Sequence, residues 1–283
     1  MMARVRSALS TLWRPERPAG PQALVDGLRA LGAERVVLDS TLPTDLAAEV
    51  LTLRGVEVAA LEQAGRARLC APERAERAAA AEAATRVIEQ AAQAGVPVCV
   101  LALGSIAASW EPADLARAFA RDEWALGAGL GAQISTERAA QAQRHLDAAR
   151  FALERVVAVA ERAGVRVALG PRPHPWALPS LDEAAALLAD FRGAPLGYWH
   201  DTAAVHCEQA LGLGEPARWL ERLGPAGLGV RAADACGLLA PLAPGLGEVD
   251  FTPLGKLPLA TVTAPADAAP AEVAAALALV RSL

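Results

Sequence analysis

The sequence is poor in aromatic side chains, which make up only 4% of its 283 residues, so a large core has to be built from the Ala, Val and Leu that dominate its 53% hydrophobic content. Cysteine is scarce as well. Cys70, Cys99, Cys207 and Cys236 lie far apart and form no CxxC pair, which argues against a structural zinc site and a disulfide framework and for a cytoplasmic protein with free or buried thiols. No stretch approaches eighteen strongly apolar residues, because Arg, Glu and Gln interrupt the Ala-rich segments, so a membrane is not an expected partner. The opening MMARVRSALSTLWRPERP lacks the apolar core and small-residue cleavage site of a secretion signal and reads as a first strand. The formal charge of -5 is modest and Arg alternates with Asp and Glu, leaving no basic stripe for nucleic acid. A GxGxxG turn after the first strand is also missing, which disfavours a dinucleotide-binding sheet; the glycines of GAGLGA follow no good strand and read as a flexible lid.

What is present is an eightfold alternation of a short β-branched run with a longer Ala/Leu-rich amphipathic run, the signature of parallel βα units. The strands are expected at Val5 to Ser10, Arg35 to Ser40, Val56 to Leu61, Val96 to Leu103, Val165 to Gly170, Leu196 to Asp201, Gly227 to Asp234 and Leu257 to Thr263. Gly32, Gly55, Gly95 and Gly164 precede the second to fifth of these and supply left-handed ends for the preceding helices. Helix starts are expected at Thr44-Asp45, at Ser135-Thr136-Glu137 and at Ser180, where Glu183 completes a capping box. This pattern predicts one α/β domain over residues 1–283, a (β/α)8 TIM barrel with a βα insertion at 106–134 positioned to cover the mouth.

Four stretches carry a family resemblance: GVRVALGPRPHP with SLDEAAALLADF, APLGYWHDTAAVH, LGVRAADACG and PGLGEVDF. In order and spacing they resemble the fifth to seventh strands and following turns of the xylose isomerase-like superfamily of sugar isomerases, sugar-phosphate epimerases and endonuclease IV relatives. The match is good over residues 165–250 and only architectural before that. The resemblance implies a site at the carboxyl ends of the strands and a divalent ion, Mg, Mn or Zn, held by carboxylates and histidine. The expected ligands depart from that pattern. Gly170 stands at the fifth-strand glutamate, Ala204 at the histidine three residues after Asp201, Arg231 at the seventh-strand ligand and Thr261-Val262-Thr263 at the eighth-strand glutamate. Only Asp201 remains, and no metal or other cofactor is expected to bind.

The resemblance and the residues together nominate Asp201, His174 and Glu248 as acid/base groups and Arg231, His200, Asp234, Arg172 and Trp199 as substrate contacts. Strand alternation lets only one of His200 and Asp201 point into the barrel, and the resemblance implies that it is Asp201; the alternative is that Asp201 caps the helix beginning at DTAAVHCEQAL. Arg231 either anchors an anionic group or forms an ion pair with Asp201 that fills the barrel. Asp250 reads as a helix cap, His206 as a possible displaced ligand, His145 as solvent-facing, and Asp39 and Glu62 as mouth residues at the ends of the second and third strands. Trp110, Trp176 and Trp199 could wall a sugar ring. Two functions follow: an isomerase or epimerase acting on a small sugar or hydroxy-acid without the usual metal, or a non-catalytic barrel that binds a small anion or a protein partner. The oligomeric state is not set by the sequence.

Overall fold

A computed structural model describes residues 6–14, 20–39, 41–63, 68–107, 115, 117 and 124–283. Eight parallel strands close into a barrel: β1 (Arg6–Ser10), β2 (Arg35–Leu38), β3 (Glu57–Gln63), β4 (Val98–Leu101), β6 (Arg166–Leu169), β8 (Leu196–Asp201), β9 (Gly227–Ala232) and β12 (Leu259–Val262). Pairing of β1 with β12 completes the circle, with Ala8 opposite Thr261. The expected strand runs all fall on these elements. Two short antiparallel ribbons stand at the carboxyl ends of the strands, one of β5 (Gly104–Ser105) with β7 (Ala177–Leu178), the other of β10 (Asp234–Cys236) with β11 (Leu239–Leu242).

The helices are α1 (Pro21–Ala30), α2 (Thr44–Thr52), α3 (Arg74–Ala94), α4 (Trp124–Ala163), α5 (Leu181–Asp190), α6 (Thr202–Ala210), α7 (Pro216–Leu223) and α8 (Pro270–Arg281). Each strand alternates sides, and the outward set (Leu9, Val36, Leu61, Cys99, Val167, Val230, Ala260) joins the helices in one large core. In α3 the buried face is Ala80, Ala84, Ile88 and Ala91, a helical spacing that lets this alanine-rich helix lie close to its neighbours. Gly95 ends it in the left-handed region at φ 71°, as the glycine before the fourth strand predicts. Ser180 and Glu183 form the expected capping box at the start of α5.

The inward cluster consists of Ala8, Val37, Ala59, Ala60, Val98, Ala168, Leu228 and Leu259 around one aromatic side chain, Trp199. The indole has room because its neighbour across the sheet is Gly229, where an added Cβ would lie 2.5 Å from the ring. A barrel short of aromatics is therefore filled by a single tryptophan among small and aliphatic side chains.

Three expectations need correction. The glycines of LGAGLGAQ do not form a loop lid, because from Trp124 onward they lie within α4. That helix begins eleven residues before Ser135, so Ser135-Thr136-Glu137 is helix interior and not a cap. His145 is buried on α4 instead of facing solvent, and burial lowers its pKa. Part of the 106–134 insertion, including Trp110 and the run from Pro112 to Arg121 apart from Leu115 and Arg117, lies outside the described residues.

Candidate active site at the barrel mouth

The carboxyl ends of the strands enclose a cavity of about 230 Å³ whose walls include Glu62, Trp199, Asp201, Arg231, Ser105 and His174. Register explains the convergence of charge. Asp201 at the end of β8 is paired with Arg231 on β9, and Arg231 in turn with Thr261 on β12, so all three point inward at one level. Glu62 on β3 has the same parity as the inward Ala60, and Asp39 follows β2 in the phase of the inward Val37.

Arg231 is gripped by three carboxylates. One terminal nitrogen donates to Glu62 Oε2 and to Asp39 Oδ2 at 3.4 Å, while its Nε lies 3.7 Å from Asp201 Oδ2. The expected Arg231–Asp201 pair therefore exists, but Glu62 and Asp39 share the guanidinium. The Arg231 side chain keeps 29% of its exposure, towards the cavity, whereas Glu62 keeps 4%. Asp201 also caps α6, accepting the Ala204 N–H at 3.0 Å, so its inward and capping readings hold together.

Burial sets the protonation of this cluster. Desolvation raises the Glu62 pKa to about 7, a shift Arg231 opposes and Asp39 reinforces. Asp39 is pulled below its ordinary value: burial pushes it up, but the Thr41 N–H, Arg231 and a hydrogen bond shared with Glu62 outweigh that. Asp201 is raised by burial despite Arg231. Arg231 itself is penalised by burial but held firmly charged by Glu62, Asp201 and Asp39. Near neutrality Glu62 therefore gains and loses a proton while Asp39 beside it stays ionised. Around it, Glu62 Oε1, Trp199 Nε1, Thr261 Oγ1 and Thr263 Oγ1 are buried without a protein hydrogen-bond partner.

On the ribbon side of the cavity Ser105 Oγ lies 3.3 Å from His174 Nε2, and the His174 ring sits 5.1 Å from that of Trp176. Burial, with Arg172 adding repulsion, lowers the His174 pKa to about 4, so the imidazole is neutral. Its Nδ1 is buried and unpartnered. An unpaired buried N–H is rarer than an unpaired acceptor, which favours the proton on Nε2, donated to Ser105, leaving the Ser105 hydroxyl proton free to point into the cavity.

The other nominated residues are placed elsewhere. Arg172 does not line the mouth; it forms a buried pair with Glu208, which also accepts from Trp219 Nε1 at 3.2 Å, and donates to the Pro175 carbonyl at 2.8 Å. His200 faces away from Asp201, as strand alternation requires, and its Nδ1 lies 2.6 Å from Tyr198 Oη; burial lowers its pKa to about 4. Asp234 is a buried loop organiser that accepts from the N–H groups of Ala235, Gly245 and Val249. Gly247 is required beside it, since a Cβ there would lie 2.4 Å from Asp234 Oδ1 and the Ala235 carbonyl. Glu248 is outside the mouth, 3.5 Å from His206 Nε2, in the wall of a separate cavity with His200 and Asp250. Asp250 caps the turn at Thr252, and that N–H lowers its pKa. The residues that sequence reasoning left as generic mouth positions, Asp39 and Glu62, are central; Ser105 was missed, and only its place just past the fourth strand signals it.

The donor set does not suit a divalent cation. Its three carboxylates converge on a guanidinium, Gly170 and Ala204 offer no side-chain oxygen, and a dication beside the fixed charge of Arg231 would be repelled. Among the described residues no group of three His, Cys, Asp or Glu side chains is arranged to hold a metal.

The fold is that of the xylose isomerase-like (β/α)8 barrels. The 3-keto-D-glucoside 4-epimerase YcjR of E. coli superposes with a TM-score of 0.72 at 14% identity, over 99% of this chain and 100% of that one. A D-tagatose 3-epimerase-like protein gives 0.72 at 15%, covering 98% and 96%. D-psicose 3-epimerase of Clostridium cellulolyticum H10, solved with D-tagatose, gives 0.70 at 12%, covering 98% and 99%. No family model and no curated protein matches the sequence.

Proposed function

We propose that the chain binds a small neutral sugar at the barrel mouth and moves a proton at the carbon next to its carbonyl, as an isomerase or epimerase that uses no divalent ion. The observation that carries this reading is Glu62: a buried carboxyl with a pKa near 7, one oxygen unpartnered, in the wall of a cavity beside a fixed cation. Ionised Glu62 takes the C–H proton, the carbonyl π bond shifts to give an enediolate, and the oxygen that gains charge faces Arg231 in place of a metal. Return of that proton by Glu62 to the former carbonyl carbon, with the hydroxyl proton of the neighbouring carbon passing to the charged oxygen as the new carbonyl forms, isomerises the sugar. Epimerisation needs a second proton-bearing group, and Ser105 with His174 is the other such pair in the cavity wall.

Carboxylates outnumber Arg231 three to one, which favours uncharged hydroxyl-rich ligands over phosphates or carboxylates and weakens the reading of Arg231 as an anion anchor. A second reading, a barrel that binds without turnover, is supported by the fact that Arg231 already has three protein partners. Ketohexoses incubated with the protein in D2O decide between them by NMR. Deuterium entering beside the carbonyl, unaffected by EDTA and lost in Glu62→Gln, is the expected result; saturation transfer without exchange points to the non-catalytic barrel. Exchange that requires added Mg²⁺ or Mn²⁺, or neither binding nor exchange, refutes the proposal.

A further inference from the structure

Beside the mouth lies a second cavity of about 270 Å³, and Pro173 and His174 line both. Its character is opposite to that of the first. Leu115, Leu211, Leu238, Pro175, Ala204 and Ala240 form its walls. Its two charged residues, Arg172 and Glu208, are paired with each other; Arg172 also donates to the Pro175 carbonyl and Glu208 accepts from the Trp219 indole N–H, leaving no uncompensated charge to hold a polar ligand. Leu115 and Leu211 belong to a small apolar cluster with Ile134 and Trp176, separate from the main core, with Leu213 and Leu238 packed against it. Leu238 and Ala240 come from the β10–β11 hairpin, whose Leu239 is 64% exposed.

A polar, acid-lined compartment sharing a wall with an apolar one fits a ligand that is polar at one end and apolar at the other. We infer that the substrate is a sugar carrying an apolar substituent, with the sugar at Glu62 and Arg231 and the substituent between α6 and the β10–β11 hairpin. This rests on the mouth as the sugar site and adds the class of molecule it takes. Hydrocarbon moved from water into such a cavity strengthens binding about fourfold per methylene.

The test is calorimetric titration of the whole chain with D-fructose, methyl β-D-glucopyranoside, n-hexyl β-D-glucopyranoside and 1-hexanol. The hexyl glucoside should bind about thirtyfold more tightly than the methyl glucoside if half of the five added methylenes leave water. Leu238→Asp, on the hairpin, should bring the hexyl glucoside back to the methyl value, and Leu211→Ser should act in the same direction. Equal affinities for the two glucosides, with fructose bound, overturn the apolar compartment and leave the sugar site standing; loss of fructose binding as well removes both. A hexyl advantage that survives Leu238→Asp and Leu211→Ser, or 1-hexanol binding as tightly as the glycoside, also overturns the inference.

Discussion

Replacing Glu62 by glutamine should change how the stability of the barrel depends on pH, by an amount the structure fixes. Folding moves this carboxyl from its ordinary 4.5 to about 7, chiefly by burial, which corresponds to about 3 kcal/mol. Between these values the folded protein keeps a proton that the unfolded chain has released, so the native state loses stability as pH rises from 4.5 to 7 and stays penalised above it. Glutamine is neutral throughout, can offer its oxygen to Arg231 and can donate its N–H to Asp39, reproducing the protonated acid. The stability of Glu62→Gln minus that of the wild type should therefore rise by about 3 kcal/mol between pH 4.5 and 8. His174 and His200, held near 4, act in the opposite direction: unfolded histidine binds protons below 6.5 that the native rings refuse, so both proteins gain stability as pH rises from 4 to 6.5. That contribution cancels in the difference. Urea unfolding of both proteins across this range reads it directly. A difference that stays flat with pH would mean Glu62 is ionised like an ordinary carboxylate beside Arg231, and the proton-carrier role would fall with it.

Gly229→Ala should lower stability by about 1–3 kcal/mol through overpacking, because its Cβ would meet the Trp199 ring at 2.5 Å; thermal unfolding checks it, and an unchanged Tm would mean the indole is free to move. Asp234→Ala should cost about 3 kcal/mol by stranding the N–H groups of Ala235, Gly245 and Val249, while leaving ketohexose binding at the mouth intact; lost binding in a folded variant would place Asp234 in the site after all.

The strands were legible because a parallel barrel strand buried on both faces must be a short apolar run, and because glycines such as Gly95 mark the ends of helices before them. Parity showed that only one of His200 and Asp201 could point inward, and the family resemblance chose Asp201; the structure then places Arg231 inward beside it through the register of β8 and β9. Glu248 and Asp234 were misread because their turn has the sequence of a site-bearing loop, yet its backbone N–H groups are gathered by Asp234 itself. Arg172 was misplaced because two positions separate it from Gly170 across proline-shaped loop, where strand alternation no longer holds and Glu208 on α6 captures the guanidinium. The glycines of α4 show the limit of local propensity: a segment that reads as a loop lies within a forty-residue helix.

By itself the sequence determined the alternation of strands and helices, hence the barrel, since that follows from residue type and spacing along one chain; the family resemblance added that Gly170, Ala204 and Arg231 stand where ligands are expected. Only the tertiary structure decided what surrounds Arg231. Asp39, Glu62 and Asp201 come from three strands up to 192 residues from Arg231, and no periodicity relates them. Closing the barrel brings them onto one guanidinium, and burial there raises the pKa of a glutamate that the sequence marked only as a generic mouth position to about 7.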